Sequence, residues 1–437
     1  MSEVRSVDNQ PETSSRQGER SVKQLQSSIE ATTYQKEWFR KMRERISAGE
    51  PFAIAQVDIP LEILRTIDIL VVPVQWWSAV IAAKRLSPYY FDLMNERGYQ
   101  KNLCRYCCLP LACTMDHNPE RAPWGGLPKP TVLLAELTCD SLSKIFELWA
   151  REYNCHFFPL ERTASIASYY HWWERMKHYW PELCEPYRLD FKLEEMKALI
   201  RFLELITGKT FNHAKFVEVM ELINEQEEYF KKTRDLIAET IPCPVSLPDQ
   251  LPSTMIPQWH RGTPWGVEHA RMFYEEVKDK VDRGEAACQK EKLRLMWIGA
   301  GLWHNTAFYQ HFEEKYGAVF VCSIYLSIAA DGYARDLLDD PLRALASRHL
   351  VGPISYGSIR DPDWLLKEAK LHKVNGVVMI VNRSCIRDIG RRFTKIVFDN
   401  AGIPLLTIYA DVVDAREWDD EKVKSQVSNF IEERLLP

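Results

Sequence analysis

The sequence predicts an α/β protein with two parallel sheets and a helical segment between them. Apolar strands alternate with amphipathic helices in residues 36–165, and the same alternation returns in residues 258–437. Residues 166–257 have helical spacing and end in a proline-rich linker. Residues 1–35 are polar and are predicted to form a disordered leader. Strands that are apolar throughout are typical of parallel sheets covered by helices on both faces.

In the first half, the elements follow the order expected for repeated strand–helix units. A helix is predicted from Tyr34 to Gly49. The predicted strands are Pro51–Val57, Val71–Val74, Thr131–Leu137 and His156–Leu160, and the predicted helices between them are Leu61–Leu70 and Ser141–Tyr153.

The middle of the chain lacks strand signals. Residues 165–240 are predicted to be helical, including one long charged helix within Phe211–Glu239. The five prolines of Pro242–Pro257 predict the linker.

In the second half the strand–helix alternation returns. The predicted strands are Leu293–Ile298, Ala318–Tyr325, Gly376–Val381 and Ile403–Tyr409, and the predicted helices are Thr306–Tyr316, Ile386–Ala401 and Asp420–Leu436.

Composition excludes several classes of function. The net charge is −5, with no basic excess, so no nucleic-acid partner is expected. No apolar run is long enough to predict a transmembrane helix, and the polar first 30 residues lack the apolar core of an export signal. Eleven cysteines without an export signal predict free thiols, redox centres or metal ligands in a reducing compartment, the cytoplasm.

Two cysteines occupy matching positions. Cys139 follows the strand TVLLAEL, Cys385 follows the strand GVVMIV, and each precedes a predicted helix. Ligands of open α/β sheets bind at such strand ends, and a helix N-terminus favours the thiolate that ligates iron. Cys104 lies in a cysteine-rich stretch, LCRYCCLPLAC. Ordinary buried thiols explain these positions as well as a metal site does.

Other motifs in the sequence give weaker indications of a functional site. Cys107, Cys108 and Cys113 lack the second ligand pair that a zinc site needs, so they are expected to be core positions of a helix. No phosphate-binding loop of the GxxxxGK[ST] type is present. Glu62 lies among apolar residues just after a predicted strand and is either a functional carboxylate or a solvated one. The paired tryptophans fit core packing or a wall around a reactive centre.

Four segments resemble the 2-hydroxyacyl-CoA dehydratase and benzoyl-CoA reductase family, in particular its D-component-like subunits. They are QVDIPLEILRTIDILVVPVQWWSAVIAAKR, GYQKNLCRY, KPTVLLAELTCDSLSKIF and KVNGVVMIVNRSCIRDIGRRFTKIVFDNAGIPLLTIYAD. The likeness extends over roughly residues 35–435, with three separated cysteines in the same order and context.

The resemblance implies two flavodoxin-like, or Rossmann-like, domains and one [4Fe–4S] cluster bound by Cys104, Cys139 and Cys385. It also implies a fourth iron that is open to water or substrate. It assigns Glu62 as a catalytic residue on the substrate side. The implied partners are a paralogous cluster-binding subunit, in a heterodimer, and an iron–sulfur activator protein that hydrolyses ATP.

The implied function is that of an anaerobic 2-hydroxyacyl-CoA dehydratase subunit, a lyase that removes water from an acyl-CoA through a ketyl radical. Two alternatives remain, a benzoyl-CoA-reductase-type subunit that reduces an aryl-CoA, and a non-catalytic paralogous subunit. The chain departs from the family pattern at Arg105, where a small residue is expected, and at the additional thiols of Cys107 and Cys108. It also departs at Gln75-Trp76, Val413 and Val427.

Overall fold

Two four-stranded parallel sheets form the framework of the protein. A computed structural model describes residues 21–99, 103–165, 171–352, 362–382, 384–385 and 391–436. The first sheet has the strand order β2-β1-β3-β4 and the second β6-β5-β7-β8, so the two halves share one topology. The strands are β1 Phe52–Ala55, β2 Leu70–Pro73, β3 Val132–Glu136, β4 His156–Leu160, β5 Leu293–Ile298, β6 Ala318–Ser323, β7 Gly376–Asn382 and β8 Leu405–Ala410. The predicted fold class, two flavodoxin-like parallel-sheet domains with added helices, is confirmed.

Helices cover the sheets and form the segment between them. The α-helices are Gln26–Ser47, Leu61–Ile67, Val74–Ala83, Ser87–Glu96, Arg105–Thr114, Asp140–Tyr153, Trp172–Arg175, Pro186–Thr207, His213–Glu239, Leu247–Trp259, Pro264–Asp282, His311–Tyr316, Ile324–Asp331, Pro341–Ser347, Pro362–Leu371, Arg391–Asn400 and Asp420–Phe430. Short 3-10 helices occur at Pro123–Gly125, Trp180–Leu183, Thr306–Gln310 and Ala415–Glu417, and a π-helical turn at Ile431–Leu435. Within these described residues, no helix has the length and apolar character needed to cross a bilayer.

The central strands are buried throughout, as their continuous apolar runs predict. Every residue of β1 and of β5 is buried. In the first sheet, β1 pairs in parallel with β2 on one side and with β3 on the other. In the second sheet, β5 pairs in the same way with β6 and β7. Because the strands are parallel, their carboxyl ends lie along one edge of each sheet, and functional residues of α/β proteins commonly follow these ends.

The predicted disordered leader is wrong in its last third. The first helix begins at Gln26, not near Tyr34. Its N-terminus is held by two distant carboxylates, since Asp249 accepts backbone hydrogen bonds from Gln24 and Leu25, and Glu276 accepts one from Gln26 at 2.6 Å. These long-range contacts leave no local pattern in the sequence. Residues 1–20 lie outside the described residues.

The predicted proline-rich linker is also wrong in most of its length. Residues Leu247–Trp259 form a buried helix that packs against the helix Gln26–Ser47. Pro248 lies in the first turn, where a helix needs no backbone N–H. The Gln250 side chain donates to the carbonyl of Val321 at 2.7 Å, which fastens the helix to β6. Tertiary burial thus overrides the local effect of the prolines. The domain boundaries themselves remain a prediction.

The other predicted elements differ from the structure mainly at their ends. The predicted helix Thr306–Tyr316 is a 3-10 turn followed by the helix His311–Tyr316. The strand predicted to reach Tyr325 ends at Ser323, where the helix Ile324–Asp331 begins. The first half of the predicted helix Ile386–Ala401 falls largely on residues 386–390, which are outside the described residues.

Candidate metal centre

A cavity of about 290 Å³ lies where the carboxyl ends of both sheets meet. Residues that follow β1, β3, β6 and β7 all contribute to its wall, so the site belongs to both α/β halves. Ligand sites of parallel α/β sheets occur at such strand ends. The lining residues are Gln56, Val57, Asp58, Gln75, Cys104, Tyr106, Cys107, Cys139, Leu142, Met255, Gln258, Trp259, Arg261, Ala300, Ile324, Tyr325, Ile328, Ala329, Tyr333, Trp364, Leu365, Asn382, Cys385 and Arg391.

The three predicted ligands, Cys104, Cys139 and Cys385, all line this cavity. Cys139 is the N-cap residue of the helix Asp140–Tyr153, three residues after the end of β3. Cys104 is the N-cap residue of the helix Arg105–Thr114. Cys385 follows the end of β7 by three residues, and its backbone N–H donates to the carbonyl of Asn382 at 3.0 Å. The fold therefore brings together three cysteines that are far apart in the sequence.

The Cys104 thiol is in hydrogen-bond contact with the thiols of both Cys107 and Cys385. The contact with Cys107, together with burial, raises the pKa of Cys104 well above its ordinary value, although the contact with Cys385 opposes this. Thiols are the donor groups that iron–sulfur clusters use, and the apolar side chains around them limit the access of water. The donor set therefore fits a cluster.

The arrangement differs from a site for a single ion. Across the described ranges, no three His, Cys, Asp or Glu side chains lie close enough together to hold one metal ion. The ligands of a cubane cluster bind different irons, so they lie farther apart than the ligands of one ion. A group of side chains that fits one ion is therefore not what a cluster requires.

Two further cysteines of the same helix, Cys108 and Cys113, lie outside this cavity. Cys108 lines a second, smaller cavity together with Arg105 and Asp414. Cys113 is in contact with Tyr90 and Trp77 in the core. Burial raises the pKa of Cys108 above its ordinary range and that of Cys113 to about 11. Both cysteines are buried core positions of the helix, as predicted.

Arg105 connects the two α/β halves beside the cavity. Its guanidinium donates to the buried carboxylate of Asp414 at 2.9 Å and to Glu417 at 3.2 Å. Its backbone N–H donates to the hydroxyl of Ser384 at 3.3 Å, next to Cys385. This departure from the family pattern is thus structural, since the large side chain joins the helix that follows Cys104 to the loop that follows β8.

Glu62 is buried, with 1% of its surface exposed, so the interpretation as a solvated carboxylate is wrong. Its Oε1 accepts hydrogen bonds from Arg261 Nε at 2.8 Å and from Arg348 Nη1 at 2.6 Å. Burial alone would raise the pKa of Glu62, but the charges of the two arginines outweigh it and lower the pKa to about 2. Glu62 is not among the cavity-lining residues, whereas Arg261 is. Its catalytic role stays a prediction.

Three charged lining residues, Asp58, Arg261 and Arg391, were not singled out from the sequence. Asp58 lies three residues after the end of β1, so its place near a strand end could have marked it. Arg261 follows the helix Leu247–Trp259 and has no local signal. Its guanidinium lies over the ring of Tyr333, 4.9 Å from the ring centroid.

The tryptophans divide between the two predicted roles. Trp76 and Trp77 are buried in an aromatic cluster with Phe39, which confirms core packing for this pair. Trp259 and Trp364 line the cavity instead. The Trp364 indole N–H donates to Asp331 at 2.9 Å, which fixes the orientation of the ring.

Residues 56–433 match the family model described as 2-hydroxyglutaryl-CoA dehydratase, D-component. The chain belongs to this family. The matched range contains all three predicted cysteine ligands. The expected family is therefore confirmed.

Curated relatives of this family are dehydratase subunits. The chain is 22% identical over 388 residues to the (R)-2-hydroxyisocaproyl-CoA dehydratase alpha subunit of Clostridioides difficile, covering 88% of this chain and 90% of the relative. It is 21% identical to the (R)-phenyllactyl-CoA dehydratase alpha subunit of Clostridium sporogenes, over 88% and 89% of the two chains. It is 22% identical to the (R)-2-hydroxyglutaryl-CoA dehydratase subunit alpha of Acidaminococcus fermentans, over 70% and 61%. These names confirm the expected class of protein, a hydroxyacyl-CoA dehydratase subunit, which is a lyase.

Proposed function

We propose that this protein is the iron–sulfur subunit of a 2-hydroxyacyl-CoA dehydratase. In this proposal Cys104, Cys139 and Cys385 bind one [4Fe–4S] cluster. One observation carries it: three cysteines from distant parts of the chain line a single cavity at the carboxyl ends of two sheets. When bound, the cluster would supply one low-potential electron to the thioester carbonyl. Hydroxide would leave the neighbouring carbon of the resulting ketyl radical, a proton would leave the next carbon, and the electron would then return, so that dehydration is redox-neutral overall.

Arg261 is the candidate for stabilising negative charge on the substrate carbonyl. It lies in the cavity wall, and the buried group of Glu62, Arg261 and Arg348 carries one positive charge more than it carries negative charge. A positive group that is fixed before the reaction stabilises developing negative charge most strongly where water is excluded. We assign Glu62 a positioning role, since it holds Arg261 against the cavity.

Asp58 is the candidate for moving protons. It is the only carboxylic acid among the cavity-lining residues in the part of the chain that the structure describes. The departing hydroxide needs a proton, and the substrate must lose one from carbon. A carboxylate within the cavity can take part in either transfer.

The cavity wall favours an apolar acyl group. Ile324 and Ile328 project from one helix and Leu365 from another, and Met255 adds a further apolar side chain. A second carboxylate on the acyl chain would lose its hydration where it lay against these apolar side chains. We therefore propose an aliphatic or aryl 2-hydroxyacyl-CoA as the substrate.

Two partners follow from the proposed chemistry. The curated relatives are named as alpha subunits, which supports a paralogous second subunit in a heterodimer. The electron must be delivered from outside, because the sequence has no phosphate-binding loop with which to couple ATP hydrolysis to its own reduction. We propose that a separate ATP-hydrolysing iron–sulfur activator delivers it.

The test is an assay of the anaerobically purified chain with its partner subunit, activator, ATP and a reductant. Loss of water from an aliphatic or aryl 2-hydroxyacyl-CoA is the expected result. Reduction of the ring of benzoyl-CoA without dehydration would replace the proposal by the aryl-CoA reductase alternative. No reaction of either kind, with an intact cluster, would support a non-catalytic subunit.

A further inference from the structure

A fourth cysteine lines the same cavity as the three predicted ligands. Cys107 lies one helical turn after Cys104, in the sequence Cys104-Arg105-Tyr106-Cys107. Cys104 is the N-cap residue of the helix and Cys107 is its third residue, so the two side chains lie on the same side of the first turn. The backbone N–H of Cys107 donates to the carbonyl of Cys104 at 3.1 Å, which fixes this spacing.

The thiol of Cys107 is directed at the predicted ligand set. It is in hydrogen-bond contact with the Cys104 thiol, which also contacts Cys385. Cys107 is buried, with 7% of its surface exposed, and the space next to it is the cavity. Cys108, the next residue along the chain, lines a different cavity. The position of Cys107 on the helix therefore makes its thiol face the cavity that contains the predicted ligands, whereas the thiol of Cys108 does not face it.

The count of thiols matters because each iron of a cubane cluster takes one ligand from outside the cube. Three cysteines bind three irons and leave the fourth to water, substrate or another side chain. Four cysteines are the complete ligand set of a [4Fe–4S] cluster in proteins.

We infer that Cys107 is the protein ligand of the fourth iron. This inference rests on the proposed function, because it requires the cluster to be present. On binding iron, Cys107 loses its thiol proton to solvent and binds as the thiolate.

The consequence is a closed cluster. With Cys107 bound, no iron keeps a position for water or for an acyl-CoA oxygen in the resting protein. This differs from the open fourth iron that the family resemblance implies. In this chain the cluster would then relay electrons instead of acting as a Lewis acid, and the substrate carbonyl would be bound by side chains such as Arg261.

Mössbauer and electron paramagnetic resonance spectra of the anaerobic full-length protein test the inference. The expected wild-type spectrum has all irons in sulfur coordination, and mild oxidation leaves the cluster intact. Cys107→Ala should create one distinct iron with a non-sulfur ligand. Oxidation of this variant should remove that iron, about one in four, and yield the signal of a [3Fe–4S] cluster. The matched control, Cys108→Ala, should behave as wild type.

The outcomes separate the two proposals. A distinct iron already present in the wild type would overturn the role of Cys107 and leave the three-cysteine cluster intact. A Cys107→Ala spectrum identical to that of the wild type would do the same. If Cys107→Ala fails to assemble a cluster, the wild-type spectrum alone decides. Wild-type protein that binds no iron after reconstitution would overturn both proposals.

Discussion

Glu62 accepts a hydrogen bond at 2.8 Å from Arg261, whose guanidinium lines the cavity between the two sheets. The carboxylate also pairs with Arg348, so it neutralises one of two buried positive charges. Arg261 is buried, and its guanidinium also donates to the carbonyls of Gln258 at 3.4 Å and Ile59 at 3.3 Å. The pair thus connects the fold to the proposed chemistry.

Glu62→Gln should lower the free energy of unfolding by about 3–5 kcal/mol, because two buried guanidinium groups then lack a counter-charge. Denaturant titration without oxygen measures this. Glu44→Gln, which removes an exposed ion pair with Arg40, is the control and should leave the free energy unchanged. A small effect at Glu62 would show that Arg261 and Arg348 find other partners, and would remove its positioning role.

Arg105→Ala should lower the free energy of unfolding by about 1.5–3 kcal/mol, the usual contribution of hydrogen bonds to charged groups. The reason is that Asp414 is buried and loses one of its two arginine partners, while Arg416 remains. The same titration measures the change. Arg151→Ala, which breaks an exposed pair with Glu147, is the matched control. Equal stability of both variants would show that Arg105 does not join the two halves.

The ionisation of Glu227 should lower the free energy of unfolding as the pH rises. It is buried and accepts hydrogen bonds from the backbone N–H groups of Tyr333 and Ala334. Burial raises the pKa of Glu227 from 4.5 to about 7. Because the folded-state pKa lies above the unfolded one, its contribution is complete below about pH 4.5 and is lost as the pH rises through about 7.

Glu227→Gln keeps an acceptor oxygen and cannot ionise. It should match the wild type at about pH 5 and exceed it in free energy of unfolding by about 1–3 kcal/mol at about pH 8. Burial also raises the pKa of Glu313 to about 7, but this group is present in both proteins and cancels in the difference. A difference between the two proteins that does not change with pH would contradict the raised pKa.

The apolar wall of the cavity predicts the order of substrates. An aliphatic or aryl 2-hydroxyacyl-CoA should be dehydrated with a kcat/KM about 10–200-fold above that of 2-hydroxyglutaryl-CoA, a range typical of hydrophobic pockets. Ile328→Ala should shift the preference toward bulkier acyl groups by enlarging the pocket. Leu205→Ala, at an exposed position, is the control. Preference for the dicarboxylic substrate would place the acyl group outside this wall.

Much of the fold could be predicted because its signals are local. Most strands of both sheets are apolar runs, and Cys139 and Cys385 are placed by the strand that precedes each of them. The same reasoning applied to the end of β1 points to Asp58. Of the features of this site, the position of a residue at the carboxyl end of a parallel strand is thus the one that can best be predicted from the sequence.

The partners of Glu62 could not be predicted, because they come from far along the chain. Arg261 is 199 residues away and Arg348 is 286 residues away. The helix Leu247–Trp259 was missed for a related reason, since its prolines are a local signal while its burial is a tertiary one. The direction of Cys107 likewise depends on where the helix begins, at Cys104.

The most direct test of the central claim is the iron and acid-labile sulfide content per chain after purification without oxygen. Wild-type protein should contain about four of each. Cys139→Ser and Cys385→Ser should lose most of both, whereas Cys184→Ser, a buried cysteine away from the cavity, should keep them. Full iron in both ligand variants, or none in the wild type after reconstitution, would contradict the account.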